Sequence, residues 1–234
     1  VLEHCSELDS LLEVDRALTP LGIFVAYTVV WVDHPQPYSF DGEVEELVKS
    51  LRSRYTLESL KSDPTFRAYR DFYWSIGIDP TKVRPSSEAL VRRCLRGSFP
   101  RINTVVDAGN IASAYTGIPI GLYDMKRTTP PYRLTLSSGG ETFNPIGGKS
   151  EVLPKGIPVL VDSAGTVMHL YPHRDSVETA IREDTSHVFV LGAGVPGVEK
   201  MRVAESVKKV VELLSAAGWS YCGRVVMKEP TSRG

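Results

Sequence analysis

The sequence predicts an α+β chain, and three observations carry that prediction. Helical periodicity runs through residues 41 to 97, whereas short apolar runs between Gly and Pro signals dominate residues 132 to 190. The run Leu21 to Val32, LGIFVAYTVVWV, is rich in aromatic and β-branched residues, which marks a buried strand. Finally, 234 residues with 42% hydrophobic and 24% charged side chains and a net charge of -1 suit a chain that buries a substantial core.

The elements follow in order. Asp33-His-Pro35 ends the first strand, and Asp41 looks like the cap of a helix reaching Arg54, with Val44, Leu47, Val48 and Leu51 at helical spacing. A second helix fits Thr65 to Ile76, stopped by Gly77 and Pro80. A third begins after Pro85 and ends at Gly97. The segments YRLTL, ETFNPIGG, PVLVD, TVMHLY and HVFVL between Tyr132 and Leu191 read as strands. Glu199 to Ala217 is a helix with Val203, Val207, Val210, Val211 and Leu214 on one face, and Trp219 to Met227 returns as a strand. There is no internal repeat; Thr128-Thr-Pro-Pro131 is the nearest thing to a hinge.

No apolar run approaches the roughly 18 residues of a membrane span, and Glu3, Glu7 and Asp9 come where a signal peptide would be apolar. A cytoplasmic protein with no membrane partner is therefore expected. Cys5, Cys94 and Cys222 are odd in number and far apart, so reduced thiols are expected rather than a disulfide framework. Charge is uneven. Residues 1 to 63 are acidic, whereas Lys82, Arg84, Arg92, Arg93, Arg96 and Arg101 face Glu88 alone between positions 82 and 101. Such a stripe suits a phosphate backbone or a solvated helix face equally well.

Gly192-Ala-Gly194-Val-Pro-Gly197 fits the GxGxxG pattern after an apolar strand, but too little chain follows for a dinucleotide fold, and a plain loop into the last helix is expected. His169 and His173 are four apart, yet Pro172 between them opposes a helical metal site, so pocket or surface histidines are expected and no metal or cofactor. No GxSxG elbow announces a catalytic triad. The segment His173-Arg-Asp-Ser-Val-Glu-Thr179 gathers imidazole, guanidinium, carboxylate and hydroxyl groups in one loop, suited to binding an anion, positioning a water, or forming a hydrogen-bonded turn. Asn103, Asp107 and Asn110 interrupt the apolar run PRINTVVDAGN at helical spacing, so they form one polar helix face that either meets a ligand or braces neighbouring backbone.

Residues 85 to 124, PSSEALVRRCLRGSFPRINTVVDAGNIASAYTGIPIGLYD, resemble the B3/B4 domain of the phenylalanyl-tRNA synthetase beta subunit, and more closely its free-standing B3/B4 relatives. The likeness continues through Arg133, Gly140-Glu141, Gly147-Gly148, Asp162, Arg174-Asp-Ser176 and Asp184-Thr185. It implies a mixed α+β fold with a sizeable sheet and packed helices. It further implies one B3/B4-like domain over residues 1–234, with 1–60 variable in the family and 60–215 covered by the likeness.

The synthetase pocket is associated with hydrolysis of tRNA carrying the wrong amino acid, notably tyrosine. The implied partner is therefore tRNA or aminoacyl-tRNA, with no DNA, and oligomeric state is left open. Two departures stand out: a histidine of the synthetase pattern PLHAFD is Gly121 here, and its AGxMGG segment is TVMHLYPHRDS. The expectation is a stand-alone deacylase of mischarged tRNA in which His173, Arg174, Ser176 and Thr179 orient ester and water. Asn103, Asp107, Asn110, Gly121 and Glu141 shape the substrate pocket, and the basic stripe holds RNA. The alternatives are a non-catalytic module binding RNA or an amino acid, and a small-molecule enzyme reusing the pocket.

Overall fold

The computed structural model describes residues 2–232. Along the chain come α1 (Leu2–Ser6), β1 (Leu12–Val14), β2 (Phe24–Trp31), α2 (Asp41–Arg54), α3 (Pro64–Ser75), α4 (Ser86–Leu95) and α5 (Thr104–Thr116). Then follow β3 (Ile120–Asp124), β4 (Tyr132–Leu136), β5 (Thr142–Phe143), β6 (Glu151–Val152), β7 (Pro158–Val161), β8 (Val167–Leu170), β9 (Arg174–Asp175) and β10 (His187–Gly194). The chain ends in α6 (Lys200–Ala216), β11 (Ser220–Tyr221) and β12 (Val226–Lys228).

Two five-stranded sheets stack. One runs β11-β2-β10-β3, with β12 also on β2, and every pair in it is antiparallel. The other runs β1-β4-β7-β8-β9 and is mixed, since β1 lies parallel to β4. Helix α6 covers β2 and β10 on one face of the first sheet, beside α5, which packs on β3. The opposite face meets the second sheet through aromatic rings: Tyr132 lies 4.7 Å from Phe189 between ring centroids, and Tyr27 and Tyr123 flank the same ring. Buried Tyr171 ties the layers together by donating its hydroxyl to the Gly194 carbonyl at 2.6 Å. Such a hydroxyl needs a partner because an unbonded one is costly in an apolar core.

Several expectations change. Gly192 and Gly194 lie inside β10, not in a loop. A Cβ on Gly192 would come within 2.7 Å of the Ser206 hydroxyl on α6, and one on Gly194 within 2.4 Å of the Phe24 ring. The GxGxxG pattern thus records close packing of helix and ring on a strand, and only Val195-Pro-Gly197 forms the turn. Cys5 and Cys222 are bonded, correcting the expectation of reduced thiols; the fold brings α1 against the β11–β12 connection, a proximity that 217 residues of separation conceal. Cys94 is the free, buried thiol. Asp41 is the first helical residue of α2, after Phe40 as cap. ETFNPIGG contracts to the two residues of β5. Among the described residues no helix is long and apolar enough to cross a membrane.

Candidate functional site

Where α4, α5, the edge strand β3 and the β8–β9 hairpin converge, they enclose a cavity of about 160 Å³. An apolar cavity of roughly this size holds a benzene ring. Leu90, Ile120, Leu191 and Ala193 supply apolar wall, while Asn110, His169, His173 and Asp175 supply polar groups.

The hairpin explains the polar cluster. Its turn at Tyr171–His173 sets His169 opposite Asp175 across the β8–β9 pair, so both side chains project to the same face. His169 Nδ1 and Asp175 Oδ1 are 2.8 Å apart, and the Tyr123 hydroxyl donates to that same oxygen at 3.1 Å. A carboxylate only accepts hydrogen bonds, so Nδ1 carries a proton, and whenever the ring is neutral Nε2 is the nitrogen left with the lone pair. No described residue bonds to Nε2. Burial, then the Asp175 charge, holds the Tyr123 hydroxyl well above its ordinary range, so it remains a donor.

Gly121 is what makes this arrangement fit, because a Cβ there would come within 2.2 Å of the Tyr123 hydroxyl oxygen. His173 lines the same cavity as a neutral ring: burial, then the neighbouring His169 and Arg174, pushes its pKa down to about 4. Its Nδ1 is buried with no hydrogen-bond partner, and Tyr73 packs edge-on at 5.8 Å between ring centroids.

A family profile described as "B3/4 domain" matches residues 68–214. This chain belongs to the B3/4 domain family. No curated protein matches it. Among solved structures it is similar to an N-terminal fragment of the phenylalanyl-tRNA synthetase beta subunit from Pyrococcus horikoshii, at 16% identity and a TM-score of 0.49 over 90% of this chain. The similarity spans 49% of that chain, about half its length.

In this B3/4 domain the residues singled out from sequence divide sharply by position. Asn110, Gly121 and His173 line the cavity. Asn103 instead caps α5, accepting from Val106 N at 2.9 Å, and Asp107 reaches back to accept from Ile102 N at 2.7 Å. With Asn103 outside the helix as its cap and Asp107 turned back to the residue before that cap, the three polar residues do not form one helix face. Arg174 points across β9 to Glu151 at 3.1 Å, away from the cavity lining. Ser176 caps the short turn Val177–Thr179 by accepting from Glu178 N, and the Thr179 hydroxyl is buried without a partner. Glu141 folds its own loop, accepting from Ser138 and Gly139 N; burial raises its pKa, but these bonds outweigh it and the net shift is down.

The basic stripe is partly committed. Glu88 is fully buried and takes a bidentate fork from Arg70 at 2.6 and 2.8 Å and a bond from Arg92 at 2.9 Å, with Arg84 at 3.9 Å. Arg93 donates to the Ser98 carbonyl and Arg101 pairs with Asp41, while Lys82 and Arg96 are exposed. In the sequence Asp175 stands only as the carboxylate within the His173–Thr179 loop and Tyr123 only within the IGLYD segment, neither with a role of its own. The signal that could have found Asp175 is the hairpin centred on Pro172, which places 169 and 175 at equal distances from the turn. Among the described residues no cluster of three or more His, Cys, Asp or Glu side chains is placed to hold a metal.

Proposed function

We propose that this B3/4 domain hydrolyses aminoacyl esters carried on tRNA, acting in trans as an editing module. The observation that carries the proposal is the Tyr123–Asp175–His169 chain of hydrogen bonds ending at the wall of a cavity with room for an amino-acid side chain. The resemblance to the synthetase editing domain supplies the substrate class.

His169 Nε2 takes a proton from a water as the water oxygen attacks the ester carbonyl, and Asp175 stabilises the imidazolium that forms. The tetrahedral intermediate then collapses, breaking the bond to the ribose oxygen, which leaves with the proton returned from Nε2. The products are a free amino acid and uncharged tRNA. Asn110, whose amide bonds to no described residue, offers its oxygen to the substrate ammonium. An aminoacyl ester is already activated, so one oriented base and a fixed carbonyl suffice without a protein nucleophile.

Purified protein incubated with a panel of mischarged tRNAs tests this by ester loss over time. His169→Ala should lower the rate by about 10²- to 10⁴-fold. No acceleration over buffer with any tRNA would sink the hydrolase, and saturable tRNA binding without ester loss would leave a binding module.

A further inference from the structure

Trp74 is the most exposed aromatic side chain among the described residues, at 57%. It lies in the last turn of α3, one turn beyond Arg70 and therefore on the same side of the helix, which Arg70 shows to be the side facing α4. Three guanidinium groups surround the single carboxylate of Glu88 there, leaving uncompensated positive charge between the two helices. Arg84 is 40% exposed and only loosely held, and Lys82 and Val83 beside it are open to solvent. Asp71 and Asp79 moderate this field, although Asp79 is already engaged by the Thr81 amide and hydroxyl.

The same two helices also reach the cavity region. Helix α4 contributes Ser86 and Leu90 to the cavity wall, and Tyr73, next to Trp74, packs against His173. An exposed indole on the side of α3 that faces α4, with exposed cations at the start of α4, offers a platform for a nucleobase, because every base offers a π-face and carries a phosphate that arginine can meet.

We infer that Trp74, with Arg84 and Lys82, binds the single-stranded end of an RNA by stacking one base on the indole and contacting the adjoining phosphate. The inference rests on the proposed tRNA substrate and adds the route by which the acceptor end reaches the cavity. It also narrows the RNA-contacting part of the basic stripe to Lys82, the loosely held Arg84 and the exposed Arg96, since Arg92, Arg93 and Arg101 are held by Glu88, the Ser98 carbonyl and Asp41.

The test measures anisotropy of a short labelled single-stranded oligoribonucleotide at two salt concentrations, together with tryptophan fluorescence. Trp74→Ala should weaken binding about 5- to 100-fold, and Trp74→Phe should recover most of it. Arg84→Ala should reduce the salt slope by about 0.7. RNA should quench fluorescence in the wild type and much less in Trp74→Phe. Unchanged affinity in Trp74→Ala, or equal loss in the Phe variant, would overturn the inference. RNA bound through Trp74 without ester hydrolysis would keep this surface and remove the hydrolase; hydrolysis with Trp74-insensitive RNA affinity would do the reverse.

Discussion

His173 spends its life neutral in a wall of the cavity, and that has a thermodynamic consequence. Its pKa falls from 6.5 to about 4 on folding because burial disfavours the cation. Between those values the unfolded chain binds a proton at this ring that the folded chain refuses. Stability is therefore full above about 6.5 and is lost as pH falls toward 4, by about 3 kcal/mol from this one group. Denaturant melts of His173→Phe across that window should show a shallower loss than the wild type; identical slopes would show that His173 does not titrate this way. The imidazole was visible in the sequence as part of a polar loop. The pairing of His169 with Asp175 was not, because the two come together only through the register of a hairpin, while Arg174 between them is carried to the opposite face by strand alternation.

At the scale of elements, α5 separates bracing from binding. Asn103 sits outside the helix as its cap and Asp107 accepts from the Ile102 amide just before it, while Asn110 alone of the three reaches the cavity. Asn103→Ala should cost about 1 kcal/mol of stability, and Asn110→Ala should leave the melting temperature within error while weakening ligand binding. Differential scanning fluorimetry with and without a panel of free amino acids, each carrying its ammonium group, checks both. The helices and the long strands β2 and β10 were legible because apolar periodicity and capping act locally. Strands β1, β3 and β9 were not, although β4, β7 and β8 of similar length were, because the latter are apolar runs set off by Gly and Pro signals, whereas LEV, IGLYD and RD carry no such pattern and depend on their partners. The polar triad misled for a related reason: spacing of four and three fits a helix face, but the helix begins one residue too late to include Asn103.

At the scale of the molecule, the Cys5–Cys222 bond ties the N-terminal helix to the far end of the chain. Closing so long a loop removes conformational freedom mainly from the unfolded state, worth about 2–5 kcal/mol. Reduction with dithiothreitol, or Cys5→Ser, should lower the thermal midpoint measurably while leaving ester hydrolysis at low temperature intact.

Strand β2 comes from residues well before the family-matched segment, yet it lies between β10 and the C-terminal strands β11 and β12 and pairs with β10 over eight residues. A fragment starting at residue 68 would keep the cavity residues and lose that strand. It would expose the long, apolar edge of β10, with unpaired amides and carbonyls that invite a strand from another copy. Sequence kinship and sheet completeness thus have different borders here: the shared segment ends where the sheet is still open, and cutting along the family boundary would leave β10 with an edge that invites aggregation.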